Sequence, residues 1–191
     1  MAKEWVSPET YAEIARSGYH WKLHAEAFRF AAEKLYEHMP FDEYGTREDV
    51  RTHCVLTYQF LIGLSLEDLL KGLIIKVQPE LVIDKLHKSE RRRSLHTYTL
   101  DKCLQTHDLA TLASMVKRNT HYNLAFSREE RRLLRRLSNI IKWQGRYPVA
   151  LTSEKQTSLY FKPAGDRLTF EGLWERLSAA LDEIIGKRAE S

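Results

Sequence analysis

The chain has 191 residues, 43% of them hydrophobic and 29% charged, with a formal net charge of +4. This is enough for one well-buried core, too apolar for a chain disordered throughout, and too mildly basic for a protein that works by bulk charge. Two cysteines, Cys54 and Cys103, exclude a disulfide framework and a cysteine-rich zinc module, and five prolines with eight glycines predict long helices with few joints.

After Ser7-Pro8, residues 8–38 place Tyr11, Ile14, Gly18, Trp21, Ala25, Phe28, Ala32 and Leu35 at alternating steps of three and four. That heptad seam predicts one long helix. Its small members, Gly18, Ala25 and Ala32, admit a close partner, either the central helix or a second copy of the chain. Beside the seam, Glu13, His20 and His24 share a stripe. Histidines one turn apart can hold a metal ion, but a solvated pair flanking a heptad is commoner, and no metal is assigned. Residues 40–46 make a turn, and Thr46 with Asp49 suits the N-cap of the next helix.

Residues 51–78 form the most hydrophobic run and the predicted central helix. Val55, Ile62, Leu66, Leu69, Leu70, Leu73 and Val77 fall on one arc. Phe60, Leu64 and Ile74 fall on another, the pattern of a helix surrounded by others. Glu67 and Lys71 lie within that second arc as i, i+4 partners. A charge buried alone is costly, so each needs the other or a polar group from a neighbouring helix. Glu67, Asp68 and Lys71 also interrupt the run too often for membrane insertion, and MAKEWVSPETYAEIA has no apolar signal core. The expectation is a cytoplasmic protein with no membrane association and no cofactor.

Pro79 ends the central helix. A short amphipathic piece, LVIDKLHK, and a basic run, SERRRSLH, follow, with residues 89–105 expected as an ordered loop or short turns. Thr106 is the predicted N-cap of a helix HDLATLASMVKR. Ser127 to Glu130 reads as a capping box opening a helix over 128–144. There Leu133, Leu134, Leu137, Ile140 and Ile141 share one face, and Arg128, Arg131, Arg132, Arg135, Arg136 and Lys142 the other. This second face, with Arg91, Arg92 and Arg93, suits phosphate contact, with Tyr98, Tyr122, Trp143 and Tyr147 available for stacking. Gly145 to Pro148 stops the helix. Residues 147–169 are expected to be extended, as a hairpin over the bundle, and an amphipathic helix over about 170–186 closes the chain.

The order GLSLEDLLKGL, then HDLATLASM, then SREERRLLRRLSNIIKWQGRYP resembles the HEPN superfamily of helical bundles, over roughly residues 50–150. The resemblance implies one all-α domain over 1–191. Its antiparallel up-and-down core of four helices spans about 8–150, and a C-terminal extension covers about 151–191. It also implies a homodimer in a toxin, defence or RNA-linked setting, with an antitoxin or a nucleotidyltransferase as a further partner. By position it points to a binding pocket of Glu67, Lys71, His107, Asp108, Arg146 and Tyr147. Ribonucleases of the family carry Arg, four to six residues, then His in the last core helix, and helix 128–144 has no histidine. The same spacing occurs at Arg91 with His96 and at Arg47 with His53, outside that helix. The expected function is therefore a non-catalytic module binding RNA, a nucleotide or a protein partner. A metal-independent endoribonuclease using His107, Arg91 and His96 is one alternative, and a purely structural dimeric interaction protein is another.

Overall fold

The computed structural model describes residues 7–39, 48–88, 94–119, 124–144 and 163–187. Among these residues it is an all-α bundle carrying one small two-stranded sheet, in the order α1 (Pro8–Arg16), α2 (Gly18–Glu37), α3 (Glu48–Val77), β1 (Val82–Lys88), β2 (Ser94–Leu100), α4 (Leu109–Asn119), α5 (Arg128–Asn139) and α6 (Pro163–Lys187). The long α3 runs through the middle. Ile62, Leu66, Leu69, Leu70, Leu73, Ile74 and Ile75 are each at most 1% exposed, because α2, α4, α5 and α6 surround the helix. The expected N-cap at Thr46 and Asp49 lies outside the described residues and side chains.

The seam over residues 8–38 is two helices, not one. Ser17 takes an extended conformation (φ −83°, ψ 107°), ending α1 and opening α2. Ser and Gly are weak helix formers, and the Trp21 indole reaches back to donate to the Ala15 carbonyl at 2.8 Å, satisfying an end of α1. The break resets the helical phase. Ala12 and Ala15 face inward on α1, whereas Tyr11 and Ile14 are 40% and 39% exposed. On α2 the expected small residues, Gly18, Ala25 and Ala32, are buried.

The partner across this seam is α3. His24 meets Asp68 and Trp21 lies against Gly72, so the two helices run antiparallel. A Cβ at Gly72 would stand 2.9 Å from Trp21 Cβ, an approach only glycine allows. The Ser65 hydroxyl donates to the Ala25 carbonyl (2.8 Å) and accepts from Trp174 Nε1 (2.9 Å), joining α2, α3 and α6 at one buried point. Trp174 near Ser65 and Leu181 near Gly72 set α6 parallel to α3. Phe170, Leu173, Leu177 and Leu181 carry α6 into the same core.

Val82–Lys88 and Ser94–Leu100 pair as antiparallel strands, with Val82 opposite Leu100 and Lys88 opposite Ser94, so residues 94–100 are a strand where loop or short turns were expected. The period-two pattern of VIDKLHK and the Thr-Tyr-Thr run of SLHTYTL are the strand signals. Pro163 opens α6, so residues 163–169 are helical rather than extended, with proline at a helix start where its missing N–H costs nothing. Residues 145–162, the rest of that expected extended segment and helix stop, lie outside the described residues.

Ser127 and Glu130 make the expected capping box on α5, each side chain accepting from the other's backbone N–H. Leu133, Leu134, Leu137, Ile140 and Ile141 are buried, and the helix closes in a π-helical turn, Ile140–Gln144. Both cysteines are free and half-buried. Among the described residues, no helix is long and apolar enough to cross a membrane.

Candidate functional site

The buried polar centre lies on α3. Glu67 and Lys71 are 4% and 7% exposed, and the Lys71 ammonium donates to Glu67 Oε1 at 2.6 Å. His107, on the turn before α4, brings Nδ1 to 3.0 Å from Glu67 Oε2 and 3.1 Å from Oε1. An ionised carboxylate only accepts, so the proton of this contact lies on Nδ1. Three segments, the two turns of α3 and the Thr106–Asp108 turn, are thereby held in one register. The His107 side chain stays a third exposed, which leaves the rim of the centre at the surface.

Asp108 does not join its neighbour there. Its Oδ1 accepts from the backbone N–H groups of Ala110 and Thr111, and its Oδ2 takes the Lys142 ammonium at 3.1 Å. Asp108, not Thr106, is the N-cap of α4. Thr106 instead accepts from the Asp108 N–H, and Leu109 N–H donates to Ser138 of α5. Burial pushes the Asp108 carboxyl up, but the hydrogen bonds from Thr111, Lys142 and Ala110 outweigh it and hold it below its ordinary value of 3.8. A depressed carboxyl adds stability above the unfolded pKa, and that stability is lost as pH falls through the folded one. Asp108→Ala is expected to cost about 1 kcal/mol at pH 7, the usual worth of a cap, and its deficit against the wild type to shrink below pH 4 in urea unfolding.

A second buried acid sits beside the first. The Asp68 carboxylate accepts from His24 Nδ1 at 2.7 Å, its side chain 11% exposed against 64% for the imidazole. Burial pushes the Asp68 carboxyl up to about 6, against the pull of His24 and Lys71. Sequence reasoning missed this pair. The signal was the antiparallel α2–α3 seam, which sets His24 across from α3 one position beyond Glu67.

The arginine face of α5 is narrower than expected. Arg128, Arg131, Arg132 and Arg135 are exposed, and Arg128, Glu129, Arg132 and Arg135 line a depression of about 670 Å³. Arg131 also donates to the Phe126 carbonyl. Arg136 turns inward to pair with Asp166 of α6 at 2.8 Å, because its position on the helix faces that neighbour, and Lys142 is held by Asp108. These two therefore leave the outward face.

Of the stacking candidates, Tyr98 lies under the Arg16 guanidinium at 5.6 Å. Arg91, Arg92, Arg93, Tyr122, Arg146 and Tyr147 lie outside the described residues. Arg47 lies there too, and the side chains of His53, His96 and Trp143 are not among those described. The structure thus brings Glu67, Lys71 and His107 together and sends Asp108 to a capping role. Among the described residues, no group of three or more His, Cys, Asp or Glu gathers as a metal shell. Comparison with models of protein families, with curated proteins and with solved structures finds no match to this chain.

Proposed function

We propose that this chain is a HEPN-like helical module that binds RNA through the arginine face of α5 without cleaving it. The observation that carries the reading is the state of three guanidinium groups. Arg128, Arg132 and Arg135, at steps of four and three on one stripe, have no carboxylate partner among the described residues. Among the other arginines, Arg29 holds Glu33 and Glu171, Arg136 holds Asp166 and Arg176 holds Glu130. Arg135 Nε donates to the Arg131 carbonyl of its own helix, but the row carries no carboxylate pair among the described residues, and exposed guanidiniums along a shallow depression suit successive phosphates of a nucleic-acid strand, releasing counterions as each contact forms.

The test is fluorescence anisotropy with a single-stranded RNA oligomer across a salt series. For single strands the slope of log affinity against log salt is about 0.7 per phosphate contact, so Arg128→Gln/Arg132→Gln/Arg135→Gln should flatten it by about two. Affinity at low salt should fall roughly tenfold or more. Arg176→Gln, whose partner is Glu130, serves as the control and should leave the slope alone. An unchanged slope in the triple variant sinks the reading.

One contact favours a second reading. A buried carboxylate on His107 Nδ1 is how a histidine is oriented for proton transfer, as a metal-independent ribonuclease requires. RNA cleavage in EDTA that disappears in His107→Ala would put that activity in place of simple binding.

A further inference from the structure

We propose that His20 and His24 form an open site for a borderline divalent cation of the zinc, nickel and copper type, with Asp68 holding the second histidine from behind. The two residues stand one turn apart on α2, the spacing at which two imidazoles on one helix face reach a shared ion. Spacing alone carries little. The Asp68 contact adds the further element.

His24 Nδ1 donates to the Asp68 carboxylate at 2.7 Å, and that carboxylate is fixed on buried α3. The proton is thereby kept on Nδ1, and the lone pair of the neutral ring lies on Nε2, the nitrogen turned away from α3. A carboxylate behind a histidine is the arrangement that fixes tautomer and ring orientation in metal sites and raises the basicity of the ligating nitrogen. The Phe28 ring meets the His24 ring edge-on with centroids 4.6 Å apart, a second restraint on its rotation.

The surroundings leave room for an ion that keeps its own waters. Both histidines line a concavity of about 220 Å³ whose other walls are apolar, among them Tyr11, Ile14, Trp21 and Leu100. Cationic side chains of α2 are drawn elsewhere, Lys22 to Asp182 and Arg29 to Glu33 and Glu171. Neither imidazole has a hydrogen-bond partner among the described residues apart from Asp68. With two protein ligands, the other coordination positions belong to water, which makes an exchangeable site rather than a closed structural one.

Isothermal titration of the EDTA-treated, dialysed protein with zinc chloride, repeated with nickel chloride, tests the proposal. One saturable equivalent per chain is expected. It should be lost in His20→Ala and in His24→Gln, whose amide retains a donor for Asp68 and so protects the fold. Asp68→Asn should weaken binding about ten- to a hundredfold, the usual consequence of removing a carboxylate behind a ligating histidine. His38→Ala, at the exposed end of α2, should change nothing. Binding that survives both histidine variants, or an affinity indifferent to Asp68→Asn in a variant whose circular dichroism matches the wild type, overturns it. So does the absence of a saturable equivalent.

Discussion

Glu67→Ala is expected to destabilise the fold by about 3–5 kcal/mol, the cost of leaving a buried charge without its partner. Lys71 is 7% exposed and its ammonium lies 2.6 Å from Glu67 Oε1, on a helix whose Leu66, Leu69, Leu70, Leu73, Ile74 and Ile75 are fully buried. Truncating the acid strands that ammonium, which must then lose its proton or draw water into α3. The stability at risk is a large fraction of what a domain this size holds, so part of the population should unfold at 37 °C. The converse test separates a broken pair from a missing one. Glu67→Leu with Lys71→Met removes both charges and fills the space, and should sit within about 1 kcal/mol of the wild type, or above it. Equilibrium urea unfolding of the three proteins decides the matter. A loss below about 1 kcal/mol in Glu67→Ala would mean that water already serves Lys71 and that the centre is not dry.

The second large effect is geometric. Gly72→Leu should cost about 3 kcal/mol or more, because an added side chain has nowhere to go where α2 and α3 nearly touch. A Cβ there meets Trp21 Cβ at 2.9 Å and Leu181 Cδ2 at 3.2 Å, and the first belongs to the root of a side chain, which moves only if its helix does. Gly172 lies on α6 with nothing within 4 Å of such a Cβ. Alanine there should stabilise by about 0.5–1 kcal/mol, the helix propensity that glycine forfeits. Gly72→Ala and Gly172→Ala thus make the same chemical change with opposite expected signs. Thermal melts of the pair test the α2–α3 approach directly, and a Gly72→Leu protein melting with the wild type would contradict it.

Much of the frame is written in local patterns. The all-round apolar character of α3, the i, i+4 acid and base on it, the capping box before α5 and the buried leucines of α5 each follow from periodicity within a few turns. The features that escaped depend on partners distant in sequence. Arg136 and Arg132 read alike in a helical projection, yet α6 supplies Asp166 to one and nothing to the other. Ser17 interrupts what periodicity presents as a continuous seam, because the Trp21 indole and the packing of Gly18 against Leu181 favour a second helix at a new phase. Asp108 outcompetes Thr106 as a cap because Lys142 also holds it in place. His24 and Asp68 are 44 residues apart, and only the antiparallel docking of two helices unites them.

The single hydroxyl of Ser65 ties Ala25 to Trp174 across 109 residues of chain separating it from the indole. A ribosome must therefore deliver α6 before α3 can be sealed, and until then the greasy flank of α3 that Leu181 will cover stays open to other chains. Synthesis arrested before residue 163 would release an adhesive intermediate rather than a smaller working protein.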